Sequence, residues 1–478
     1  MIVTEDTPRS PTKSDSTTPL LGNASGSNPP PAYSPPAGPA HAGPTPIGTQ
    51  IPYAPYQPAY TPAQQRRVGE PAGPRFWKAF FVAFGVWLLA TALFGSIADS
   101  GPHHRVQSHV GYHEYPIPSD VVTDNCVTTW SEAQNPIGFP YSASTSFKFP
   151  VPSKTLLLLS KGGLSDGHLK ITSSSETTDV RVKVTVKYHK QAVRDTAKVC
   201  IIERSHGESG VGIFTPQPWR SRSSTDRLSF DVELILPVGD IYALSTDVSN
   251  FSHDVDHLSG VHFNDISLKG SNAHIQAKTL LARSATVRSS NDRITGTYAV
   301  DDSLDIRTSN GHINVVASIN NGTDSEKTKD ISLRTSNSPL DYTIDLGPTA
   351  GKAGTFRVKT ETSNAKLTGR IVSAPLNSAI MVNAKSSNHE TSLLLPITYE
   401  GIFELWTSNA GIHVDQLNPK ERDPACGADA ECKGRNRSLH TTNVSKRSAA
   451  GSIFWDKKNA NRGKVVVTTS NSLVTLHV

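Results

Sequence analysis

One short phrase, Thr-Ser-Asn with small variations, recurs down the second half of this 478-residue chain and restricts the possible folds more than any other feature. The copies are "LKGSNAHIQA", "TVRSSNDRITG", "DIRTSNGHINV", "LRTSNSPLDY", "KTETSNAKLTG", "NAKSSNHETSL", "LWTSNAGIHV" and "VTTSNSLVTLHV". Their asparagines are Asn272, Asn291, Asn310, Asn337, Asn364, Asn388, Asn409 and Asn471. The spacing starts at 19 residues, widens to 27 and contracts again, a period that suits a solenoid rather than scattered hairpins. Leu304 and Ile306 before the corner, then Ile313 and Val315 after it, alternate with polar neighbours as half-buried strands require.

A two-residue hairpin turn needs positive φ at both central positions, and Asn-Gly supplies that only at Asn310. The other copies follow Asn with Ala, Asp, Ser or His, whose Cβ makes the second position costly. A single left-handed corner at Asn fits every copy, because Asn tolerates that conformation. Stacked at the strand spacing of about 4.8 Å, equivalent amides can then bond along the axis. The repeated Asn, Ser and Thr are on this reading architecture, not ligand contacts.

The rest of the chain is organised around one apolar segment. Residues 1–74 hold about half of the chain's 33 prolines among Ser, Gly, Ala and Thr, a composition too poor in large aliphatics to offset chain entropy. They predict a disordered tail. Residues 75–98 then read as a transmembrane helix, with no charge from Ala79 to Ile97, long enough at 1.5 Å per residue to cross a bilayer core. A cleaved signal peptide is disfavoured by the distance from the N-terminus and the length of the apolar run. Arg66, Arg67, Arg75 and Lys78 precede the segment and Asp99 follows it, so the positive-inside rule predicts a cytoplasmic N-terminus and an extracellular or lumenal C-terminal part.

Features beyond the segment agree with that placement. All four cysteines, Cys126, Cys200, Cys426 and Cys432, follow it. The short Cys426 to Cys432 loop suggests one disulfide and leaves Cys126 with Cys200, although sequence alone does not fix the connectivity. Glycosylation sequons stand at Asn250, Asn321, Asn436 and Asn443, whereas Asn23 falls in the tail. Residues 99–143 read as a stalk. Residues 144–237 alternate plainly, as in "VRVKVTVKY", and predict a β-sandwich-like cap to cover the first rung. Rungs follow over 238–413, then an irregular insert over 414–463 containing a dibasic Lys446–Arg447 step, and a final strand over 464–478.

The stretch "ELILPVGDIYALSTDVSN", echoed by "LLLPITYEGIFELWTSN", together with the repeats, resembles the putative-adhesin β-solenoid domain family of unknown function. The whole arrangement of Pro-rich tail, single span and repeat ectodomain is similar to fungal membrane proteins. The resemblance covers about residues 144–478 and implies an all-β, parallel β-helix-like ectodomain without implying catalytic residues. The chain departs from the family's usual Asn-Gly corner, with Gly only after Asn310.

Catalytic signals are sparse. HExxH, GxGxxG and GxxxxGK[ST] are absent, and Asp301–Asp302 is the only adjacent acidic pair in the repeats. No cofactor is expected. A net charge of +5 with no basic stripe interleaved with aromatics gives no reason to expect nucleic acid. In the tail, Pro30, Pro31 and Tyr33 form a PPxY match suited to the groove of a WW domain. The sequence thus points to a membrane-anchored, adhesin-like interaction protein with a glycan or protein ligand. The alternative is a carbohydrate-active enzyme built on the solenoid, which would need clustered carboxylates across adjacent rungs.

Overall fold

The computed structural model describes residues 114–478, apart from 135–137, 152–153, 205–206, 218–222, 320–326, 418–420 and 427–434. The expected tail and apolar segment lie outside these residues. Among the described residues no helix is long and apolar enough to cross a membrane. They are almost wholly β: 26 strands joined in one hydrogen-bonded network, with one four-residue α-helix, Gln191–Arg194.

Two parallel ladders run through the repeats. The first takes the residues that precede each corner: Gly239–Val248, the second halves of Asn250–Lys269, Ile275–Arg288 and Ile294–Arg307, then Lys329–Arg334, Thr355–Glu361 and Ala379–Lys385. The second takes the residues that follow it: the first halves of the same three long strands, then Ile313–Ile319, Leu340–Asp345, Leu367–Ser373 and Thr391–Leu394. Asn250–Lys269 and Ile275–Arg288 serve both ladders by changing register partway, at His257/His262 and Ala277/Leu280.

Strict alternation decides which way each residue faces. Ile294, Ile313, Leu340 and Leu367 stack in one inward row, and Val287, Ile306 and Leu333 in another; all belong to a single apolar core. Each of these side chains is fully buried, and burial of one such aliphatic group contributes about 1.5–3 kcal/mol before ordering entropy is subtracted.

Towards the N-terminus Thr155–Lys161 extends the first ladder and Asp166–Ser174 the second. Beyond them the sheet turns antiparallel through Tyr141–Phe149, Val180–Tyr188 and Leu228–Pro237, and through Lys198–Arg204 with Glu208–Phe214. The disulfide between Cys126 and Cys200 ties this region across 74 residues of sequence.

The far end differs from a simple reading of chain order. Gly463–Thr469 and Val474–His477, last in sequence, lie inside the stack between Ala379–Lys385 with Thr391–Leu394 and Gly401–Thr407 with Ile412–Asp415. The segment 414–463, expected to be irregular, contributes an antiparallel hairpin, Ser438–Val444 and Ser448–Phe454, laid against Gly401–Thr407. Its strands, SLHTTNV and SAAGSIF, are too small and polar for hydrophobic alternation to mark them. Placed there, the hairpin covers a sheet edge that would otherwise invite pairing with another chain.

Candidate functional site

The Thr-Ser-Asn phrase accounts for itself atom by atom. Each Asn Nδ2 donates to the Oδ1 of the Asn one rung earlier, in the stack order Asn250, Asn272, Asn291, Asn310, Asn337, Asn364, Asn388, Asn471 and Asn409, at 2.6 to 2.8 Å. The preceding Ser closes the corner. Ser309 N and Asn310 N both donate to Ser290 O, at 3.1 and 2.9 Å, and the same fork recurs at every copy. The Thr hydroxyl bonds across rungs, as from Thr335 to Gly311 O at 3.0 Å and from Thr407 to Ser472 O at 3.0 Å.

The expectation of left-handed corners is overturned. Among the described residues only Asn125 and Asn377 combine a side chain with positive φ, so none of the eight corner asparagines does. The forked bond to the rung below turns the chain without inverting φ, and the amide ladder is what calls for Asn. Gly311 answers to a different demand: a Cβ there would stand 1.9 Å from the Asp292 carbonyl.

Three residues before each Asn a side chain faces outward, and register stacks these positions into one column. In stack order it reads Asp247, Lys269, Arg288, Arg307, Arg334, Glu361, Lys385, Thr468 and Trp406. Lys269, Arg288, Arg307 and Arg334 have half-exposed side chains. Asp247 pairs with Lys269 at 3.1 Å, Asp305 with Arg288 at 3.4 Å and Arg307 at 2.8 Å, and Glu361 with Arg334 at 3.8 Å. Burial alone would raise the Asp247 pKa, but Lys161 and Lys269 together hold it below the usual carboxylate value. Trp406 is 51% exposed at the end of the column. Thr407 N donates to Arg447 O at 2.9 Å, which brings the exposed Lys446–Arg447 step alongside.

The adjacent acidic pair divides its work. Asp301 accepts from His262 Nε2 at 3.1 Å, while Asp302, nearly buried, accepts from Arg283 Nε at 2.9 Å, Lys327 Nζ at 2.8 Å and the buried Lys329 Nζ at 2.9 Å. Burial pushes the Asp302 pKa up, and the three cationic donors outweigh it and hold the carboxyl far below its ordinary range. Among the described residues no group of three or more His, Cys, Asp or Glu is placed to hold a metal ion.

His253, which sequence reading passes over, is fully buried. Its Nδ1 lies 3.1 Å from Phe251 O and its Nε2 3.0 Å from Thr246 Oγ1, an arrangement that suits a neutral ring with the proton on Nδ1. Burial pushes its pKa down to about 4 against the opposing Phe251 bond, and nearby His168 and His274 push the same way as burial.

The other sequence-marked residues fall as follows. Asn250 is half-buried at the foot of the ladder, where its Nδ2 donates to Ser165 O at 3.3 Å. Asn436 is exposed, and Asn443 lies in the hairpin strand Ser438–Val444. Cys126 and Cys200 are bridged and Cys426 is disulfide-bonded. Asn321, Cys432, Asn23, Pro30, Pro31 and Tyr33 lie outside the described residues.

Comparison with known proteins adds little. Residues 284–419 match the sequence model of a domain of unknown function, DUF7330. No curated protein matches the chain. Two solved structures resemble it: a putative cell adhesion protein from Clostridium sporogenes, at 10% identity over 70% of this chain and 99% of that one, and a putative adhesin from Bacteroides fragilis, at 8% identity over 70% and 96%. Their TM-scores, 0.14 and 0.26, are too low for either likeness to carry an argument.

Proposed function

We propose that this chain is a single-pass type II membrane protein whose all-β ectodomain, a β-sandwich-like cap followed by a β-solenoid, is a non-enzymatic, adhesin-like interaction surface on the extracellular or lumenal side. The observation that carries the reading is the outward column of the first ladder. It offers one ligand-accessible side chain per strand at about 4.8 Å intervals, a geometry suited to a repetitive partner met at many points. The sequons and disulfides support the lumenal or extracellular side, and the cations before residue 79 support a cytoplasmic tail that docks a WW domain through Pro30, Pro31 and Tyr33.

Vesicles carrying the full chain should attach to glycan-coated or cell surfaces above the level of protein-free vesicles, and equal attachment would sink the reading. Protease added to sealed vesicles should spare the tail on the protected side until the membrane is opened. Tyr33→Ala should abolish capture by an isolated WW domain and leave attachment unchanged.

A further inference from the structure

Resting on that interaction reading, we propose that the outward column binds an extended anionic polysaccharide with one carboxylate per sugar, laid along the stack across successive strands. The argument begins with charge. The strip formed by this column and its neighbour two residues upstream carries six cations, Lys269, Arg288, Arg307, Arg334, Lys359 and Lys385, against four carboxylates, Asp247, Asp305, Glu361 and Glu404. In each intramolecular pair the cation is half exposed and the carboxylate more covered, so the cations keep a solvent-facing side that an incoming carboxylate can reach.

Geometry narrows the partner. Adjacent cations stand one strand apart, roughly 4.8 Å, and the span from Lys269 to Trp406 is about 34 Å over seven strand steps. A linear chain bearing one acid per sugar repeats its charge on a similar scale. Three of the cations are arginines, whose planar fork matches a carboxylate, and Arg307 already bonds Asp305 through Nε at 2.8 Å.

The end of the column adds a second, independent feature. Trp406 exposes its indole where a sugar ring can lie flat, and Lys446 and Arg447 flank it across the sheet edge. Single-stranded nucleic acid would need aromatic platforms repeated along the groove, and this column has one aromatic residue, at its end. A protein partner would need a desolvated apolar centre, and the column has none.

The test measures binding of the full-length protein in nanodiscs to polygalacturonate, to the same polymer fully methyl-esterified, to heparin and to a thymidine homopolymer. Polygalacturonate should bind with at least tenfold weaker affinity at high salt than at low, and the esterified polymer should not bind. Arg288→Gln with Arg307→Gln should weaken binding at least tenfold and Trp406→Ala about fivefold. Lys170→Gln, exposed on the other ladder, should leave it unchanged. Equal binding of the esterified polymer, tighter binding of heparin or of the homopolymer, or an unaffected double variant would overturn the proposal. In the vesicle assay, attachment that the double variant retains overturns this inference alone, whereas no attachment by the wild type removes the interaction reading as well.

Discussion

Two columns lie three residues apart, one at the strand ends and one at the corners that follow them, and they obey opposite rules. At the corner the residue is Asn on rung after rung, uncharged, and bonded to a copy of itself. Three positions upstream the residue changes among Asp, Lys, Arg, Glu, Thr and Trp, points outward, and its cations are half exposed. A ladder of identical amides demands identity, since each amide must donate to one neighbour and accept from the other. An outward column demands none for the fold, so its bias towards cations calls for an explanation outside the fold. Stability should therefore follow buried and laddered groups, while binding follows the exposed column.

The largest effect should come where a charge has been drawn inside. Asp302→Ala leaves Lys329 buried without its carboxylate, which should cost on the order of 3 to 5 kcal/mol, read as a lowered urea midpoint. Combining Asp302→Leu with Lys329→Met should recover at least half of that loss. A loss below about 1 kcal/mol for Asp302→Ala would show that the cluster is a surface feature like the column.

Next comes His253. Its folded pKa of about 4 lies below the unfolded value near 6.5, so between these values the unfolded chain takes up a proton that the folded chain refuses. Its contribution is complete above pH 6.5 and declines as pH falls towards 4, by up to about 3 kcal/mol. Urea midpoints at pH 7 and 4.5 should differ accordingly, and His253→Gln should flatten the slope. An unchanged slope in that variant would place the pH response elsewhere.

Much of the corner was legible in the sequence, and little of the column was. The Asn ladder announces itself because one residue type recurs beside alternating aliphatics such as Leu304, Ile306, Ile313 and Val315. The left-handed corner was a wrong inference from sound chemistry: Asn can adopt it, but Ser290 O, on the previous rung, already closes the turn, and local sequence does not show that acceptor. The cations are 19 to 27 residues apart in sequence, so no linear window contains a basic stripe; only stacking assembles one. Trp406 was hidden more deeply, since the strand inserted between it and Lys385 comes from the end of the chain. His253 looks in sequence like any polar residue in "SHDVDH", and its burial depends on where the strand packs.

The corner itself should give an intermediate effect. Asn310 bonds through its amide to Asn291 and Asn337 at 2.8 and 2.6 Å, at an exposed edge. Asn310→Val and Asn310→Gly both remove these bonds and neither meets a positive φ, so each should cost about 1–2 kcal/mol, and the two should lie within roughly 1 kcal/mol of each other. A much larger cost for Val than for Gly would restore the left-handed corner. Limited proteolysis should show the damage near residues 290–340, because rungs support chiefly their neighbours.

The smallest effect is the one that separates the columns. Arg288→Gln with Arg307→Gln removes two outward charges, and both arginines are half exposed. Exposed ion pairs contribute at most a fraction of a kcal/mol, and surface substitutions of this kind stay within about 0.5 kcal/mol. The urea midpoint of the double variant should therefore match the wild type at pH 7 and show no added dependence on salt. Set beside Asn310→Val, three residues beyond Arg307 at the following corner, the result would assign the ladder to the fold and the column to a partner. If the double variant instead lost more than about 1 kcal/mol, the cations would be holding rung to rung, their bias would need no ligand, and the distinction between the two columns would disappear.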